Sequence, residues 1–146
     1  MNCKILIVPT QIREEDFLAW CKINYGVGGF KMTKSNLFEI QEVIRNLEDY
    51  YERWAFYSEL INRMQNLQQS KRNGMPDFFL YSKTFVLFCE FKTYGDALSQ
   101  DQIYWFEKNK DLPLAIAIAY DPKYDPKWIK DKQKEEDDKG ETNQLV

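Results

Sequence analysis

The chain has 146 residues, 44% of them apolar and 16% aromatic, enough to bury one core and to read as a single domain. It contains no histidine, which excludes histidine-ligated zinc, Ser-His-Asp triads and nucleases with a histidine base or nucleophile. Its formal net charge of −3 divides into −1 over residues 1–120 (14 basic, 15 acidic) and −2 over residues 121–146 (6 basic, 8 acidic), so no general basic field draws it to phosphate.

Taken in chain order, residues 3–8 read as a short strand that is β-branched at Ile5, Ile7 and Val8. No window approaches the ~18 apolar residues of a membrane span, and Met1 to Thr10 lacks the basic start and small-residue cleavage site of a signal peptide, so an intracellular, cytoplasmic protein without a membrane partner is expected. Residues 11–24 look helical, with Ile12, Phe17, Leu18, Trp20, Cys21 and Ile23 as the apolar set. Tyr25 to Phe30 holds three glycines and reads as a flexible turn or loop; its spacing matches no phosphate-binding loop. Cys3, Cys21 and Cys89 lack metal-type spacing and read as reduced structural thiols.

Asn36 followed by Glu39 suggests a capping box opening a helix. Apolar residues then recur with a helical period from Ile40 to Leu67, long enough that a break near Asp49–Tyr51 is expected. This aromatic-rich stripe reads as core. The polar stretch after Leu67 ends in the turn signal Asn73-Gly74. Asp77–Ser82 and Thr84–Thr93 form an expected β-hairpin turning at Ser82-Lys83. Ser99 is a good N-cap for a helix running to about Lys110, and Pro113–Tyr120 reads as a buried strand parallel to a core neighbour. Past Asp121-Pro122 the composition turns charged, and residues 123–146 are expected to form a mobile tail, helical at most near Trp128.

The hairpin carries the chemistry. Asp77 closes a Pro-Asp step, and Glu90 and Lys92 fall on one face of the second strand, with Cys89, Phe91 and Thr93 on the other. Buried carboxylates and ammonium groups are costly without partners. Two carboxylates and one ammonium gathered on a small sheet suit a divalent cation, and without histidine that cation is held by oxygen, which selects Mg²⁺ or Mn²⁺. Local basic groups such as Lys31, Lys34, Arg63, Lys71 and Arg72 read equally well as solvated surface or as phosphate contacts.

These pieces resemble the PD-(D/E)XK nuclease superfamily, and within it the VRR-NUC and Holliday-junction-resolvase-like domains. The resemblance covers about residues 55–120. It lies in Gly74-Met75-Pro76-Asp77, in Glu90-Phe91-Lys92-Thr93 thirteen residues after Asp77, in Ser99 to Trp105, similar to the family's S-x-x-Q-x-x-W helix, and in the apolar strand that follows. It implies an α/β (α+β) fold: a central mixed β-sheet flanked by helices. A restriction-endonuclease-like core would span about residues 37–120 of a domain reaching residue 122, with a strand/helix extension over residues 1–36. By the same resemblance Asp77, Glu90 and the backbone carbonyl of Phe91 would ligate Mg²⁺ or Mn²⁺. Lys92 would orient the attacking water, and Gln102 would sit beside it. A further helix glutamate is expected before the Pro-Asp step, assigned to Glu59 with Glu52 as second choice.

The function implied is a metal-dependent endonuclease that hydrolyses DNA, in branched, flapped or otherwise structured substrates. RNA stays open as a substrate. The family's small stand-alone members often act as homodimers and are frequent in viruses and mobile elements. A competing reading, favoured by the charge balance and acidic tail, is a binding or inhibitor module that keeps the nuclease fold without catalysis.

Overall fold

The computed structural model describes residues 3–70, 74–93 and 95–119. Lys71, Arg72, the Asn73 half of the expected turn, and the tail with its expected helix near Trp128 lie outside these residues. The elements in order are β1 (Lys4–Val8), α1 (Phe17–Tyr25), β2 (Gly28–Lys31), α2 (Leu37–Arg45), α3 (Trp54–Gln69), β3 (Phe78–Tyr81), β4 (Val86–Thr93), α4 (Gln100–Lys108) and β5 (Leu114–Ala119). They build the expected architecture, a mixed five-stranded sheet flanked by helices, in the order β1-β5-β4-β3-β2. The pairs β1–β5 and β5–β4 are parallel, whereas β4–β3 and β3–β2 are antiparallel.

The central strand β4 is buried from Val86 to Phe91, which explains a run that is apolar except for Glu90. Its two faces feed two cores. Phe88, with Phe79 and Leu114, packs beneath Ile40, Ile44, Leu60 and Phe106 of the α2, α3 and α4 layer. Leu87, Cys89 and Phe91, with Phe78, Leu80 and the alanines of β5, pack against Phe17 and Cys21 of α1. The Phe17 ring lies 5.1 Å from Phe78 and 5.3 Å from Phe91, tying α1 to the hairpin. Burial pushes the Cys21 thiol up to about 12 and the Cys89 thiol upward as well, so both stay protonated core groups.

Several sequence expectations need correcting. The glycine-rich stretch is not a loop throughout: Gly28–Lys31 is edge strand β2, paired with β3 from Gly28↔Tyr81 to Lys31↔Phe78. Glycine is required there by close approach, because a Cβ on Gly28 would sit 2.8 Å from the Tyr81 ring and one on Gly29 2.6 Å from Leu18. The first helix begins later than residue 11, after a 3₁₀ turn at Glu14–Asp16. Asn36 does not cap α2, since its Nδ2 donates instead to the Lys31 carbonyl at 2.9 Å and stitches β2 to the helix start. The long apolar period is broken between Arg45 and Trp54, and the Tyr57 hydroxyl donates back to Asp49 in that break at 2.9 Å. Among the described residues no helix is long and apolar enough to cross a membrane.

Candidate functional site

The hairpin register pairs Phe78 with Cys89, which sets Asp77 beside Glu90 where β3 begins. The two residues are locked reciprocally. The Asp77 N–H donates to Glu90 Oε1 at 3.1 Å, and the Phe91 N–H donates to Asp77 Oδ2 at 2.9 Å. Both carboxyls therefore stand at the end of the sheet where the parallel strands β4 and β5 finish, the usual side for a site in such sheets.

Glu90 is only 1% exposed. Burial, and then the hydrogen-bonded Asp77 carboxyl beside it, push its pKa up to about 8, against the lowering effect of Lys92. The Lys92 ammonium lies 3.6 Å from Glu90 Oε2 and donates to Gln102 Oε1 at 3.1 Å. Gln102 is held by a complete capping box: its N–H donates to Ser99 Oγ at 3.2 Å, and its Oε1 accepts from the Ser99 N–H at 2.8 Å. Its amide nitrogen donates to Glu90 Oε2. One side chain thus caps α4, holds the lysine and grips the buried glutamate.

Asp77, Glu90, Lys92 and Gln102 are accordingly brought together, the first three as the hairpin's sequence leads one to expect and Gln102 as the resemblance implies. The Phe91 carbonyl is well placed to join them, since a residue in extended strand sends its N–H and C=O to the same edge and the Phe91 N–H already faces Asp77. Glu59 is not part of this group. Its carboxylate pairs with Arg63 at 3.1 Å, and Arg63 also binds Asp111 at 2.7 Å, before the start of β5 and so at the opposite end of that strand. Glu52, the second choice, is an exposed residue of the turn before α3.

A third carboxyl reaches the site from an unexpected place. Glu14, in the 3₁₀ turn ahead of α1, lies close enough to the Asp77 carboxyl to interact with it. Burial first and the charge of Asp77 second raise its pKa, while Lys31 at the end of β2 opposes them. The Met32 N–H donates to the Asp77 carbonyl at 2.7 Å, so β2 pins the segment that carries Asp77. The only sequence trace of Glu14's role is an acidic run just before a helix, a common way to start one.

Asp77 and Glu90 fit a hard cation. When both are ionised, two carboxylates against a single ammonium in contact leave negative charge for a divalent ion to balance. Among the described residues no three carboxylate or thiol side chains converge on one point, so the protein's share of such a site is two carboxylates and a carbonyl, with Glu14 flanking Asp77. Compared with models of known protein families, with curated proteins and with solved structures, the chain matches none of them.

Proposed function

We propose that the protein is a Mg²⁺- or Mn²⁺-dependent endonuclease acting on DNA. The observation that carries this reading is the Asp77–Glu90 latch, with Lys92 and Gln102 in direct contact on an otherwise apolar sheet. The resemblance of the same residues to the PD-(D/E)XK motif supports it independently. Asp77, Glu90 and the Phe91 carbonyl would hold the ion. Bound there, it supplies a lowered water pKa and neutralises charge at the scissile phosphate. Lys92, restrained by Gln102, orients the attacking water and donates to the phosphate as charge accumulates in the transition state. Gln102 keeps that ammonium aimed without consuming its charge, since an amide oxygen is a neutral acceptor. No step needs a histidine.

The test is cleavage of labelled single-strand, duplex, flap and four-way-junction DNA with Mn²⁺, comparing wild type with Glu90→Ala. Cutting of at least one substrate that vanishes in the variant is expected. A folded wild type that leaves every substrate intact overturns the reading.

One observation favours a non-catalytic binding module instead. Both Glu90 oxygens already accept hydrogen bonds from the protein, so the pair can rest satisfied without an ion. Thermal melting separates the two: a catalytic site raises Tm with added Mn²⁺ and loses that rise in Asp77→Ala, whereas a binding module shows no rise.

A further inference from the structure

A second concavity lies between α3 and α4, toward the end of α4 away from Gln102. α3 and α4 diverge to leave a groove of about 420 Å³, within the size range of small-ligand pockets. Its α3 wall presents the carboxamides of Asn62 and Asn66, one helical turn apart. Its α4 wall presents Tyr104, 44% exposed, with the Lys108 ammonium 5.8 Å from the ring centre. Trp105, 6% exposed, closes the floor, and its indole N–H has no hydrogen-bond acceptor among the described residues. Arg63, in the same wall as the asparagines, is already held by Glu59 and Asp111, which leaves Lys108 as the groove cation without such a carboxylate pair among the described residues.

We infer that this groove receives one unpaired nucleotide of the bound strand, its base against Tyr104 and between the asparagine amides, its phosphate toward Lys108. Three features of the ligand follow from the lining. A planar π-system is wanted by an exposed aromatic wall, since base–aromatic stacking is sequence-tolerant and substantial. A mixed donor and acceptor edge is wanted by carboxamides, each of which offers both. An anion is wanted by Lys108.

The groove also has the right relation to the candidate site. α4 contributes Gln102 to one and Tyr104, Trp105 and Lys108 to the other. From Gln102 to Lys108 the helix rises only about 9 Å, the scale of one or two nucleotide steps. The segment leading to Asp77 packs on the same helix, since Gly74, three residues before Asp77, lies so close to α4 that a Cβ there would meet the Asp101 carbonyl. This inference rests on the nuclease reading in one respect, that the strand in the groove is the one cut. It then selects substrates with an unpaired nucleotide near the cut, such as flaps and single strands, over uninterrupted duplex.

The test uses the full chain, metal-free and ¹⁵N-labelled, titrated with each of the four deoxynucleoside 5′-monophosphates, and separately with inorganic phosphate. Saturable shifts of the Trp105 indole and of the Asn62 and Asn66 amides by at least one mononucleotide are expected, lost in Tyr104→Ala. In cleavage assays Tyr104→Ala raises KM for a flap about tenfold, with kcat and duplex behaviour unchanged. Tyr104 is partly exposed, and Asn66→Ala repeats the test from the opposite wall. Cleavage by the wild type without these shifts overturns the groove and spares the nuclease reading. Shifts without cleavage of any substrate keep the groove as a nucleotide site and sink the nuclease reading. Equal shifts with phosphate alone overturn base recognition.

Discussion

At the scale of single residues, Glu90 dominates the behaviour of the metal-free protein. Its folded pKa, about 8, lies above its ordinary value of 4.5, so between those two values the folded protein keeps a proton that the unfolded chain releases. Stability must then fall as pH rises through that window, the reverse of the usual paired carboxylate. Metal-free Tm is expected to drop steadily from pH 5 to pH 8.5, and Glu90→Gln, which keeps a hydrogen-bonding group of the same shape, should flatten the slope. Mn²⁺ must displace the same proton, so its affinity should climb over the same pH range. Gln102 is the second sensitive residue. Gln102→Ala removes half of a capping box and leaves both Lys92 and Glu90 short of a partner, a loss of about 1–3 kcal/mol readable by urea denaturation, together with most of any cleavage activity. Glu90 was legible in the sequence through strand alternation and its thirteen-residue spacing from Asp77, and Gln102 only through the resemblance of Ser99 to Trp105 to a family helix. Glu14 was not, because sixty-three positions separate it from Asp77 and only the folded sheet joins them. Glu59 has the helical setting the family motif asks for, yet α3 carries it to Arg63 instead.

At the scale of elements, the hairpin, the break between α2 and α3, the Ser99-capped helix and the final strand were readable, since each has a periodic signal and a local stop. β2 was not, because glycine argues for a loop unless the neighbours that demand it are known. Here the Tyr81 ring and the Leu18 side chain occupy the space that side chains at Gly28 and Gly29 would need. Asn36 misled for a related reason: its amide serves the strand before it rather than the helix after it. Gly74 offers the cleanest element-level test. It has φ of +110° and no room for a Cβ beneath the first turn of α4. Gly74→Ala is expected to destabilise the fold by about 2 kcal/mol or more, and to loosen the approach of Asp77 to Glu90. A denaturant series with and without Mn²⁺ checks both effects, since the metal-induced gain should shrink along with the basal stability.

At the scale of the whole molecule, the sheet order could not be read from the sequence. Every edge in it is set by pairing between distant segments: β1 lies against β5, and β2, formed before α2, lies against β3, formed after α3. Residues 1–36 looked like an addition to a core, but their strands are the two margins of the common sheet and their Glu14 touches the site. Removal of residues 1–8 should therefore do more than trim an end. It bares the β5 edge along Leu114–Ala119, an apolar parallel edge prone to association. The truncated chain is expected to place a larger share in the insoluble fraction on expression than the full-length chain does. Such long-range pairing also favours slow folding, measurable as a refolding rate well below that of helical domains of equal size.

The pairing of β1 with β5 sets a timetable for biosynthesis. Lys4–Val8 leaves the ribosome before the rest of the sheet, an apolar ribbon whose only sheet neighbour among the described residues lies some 110 positions downstream. At ordinary elongation rates it waits roughly 5–20 s for that neighbour to be made. Gln102, Glu90 and Glu14 stay unassembled through the same interval. A nascent chain is therefore sticky before its site is assembled, and the sheet that holds Asp77, Glu90 and Gln102 closes only once translation has delivered β5.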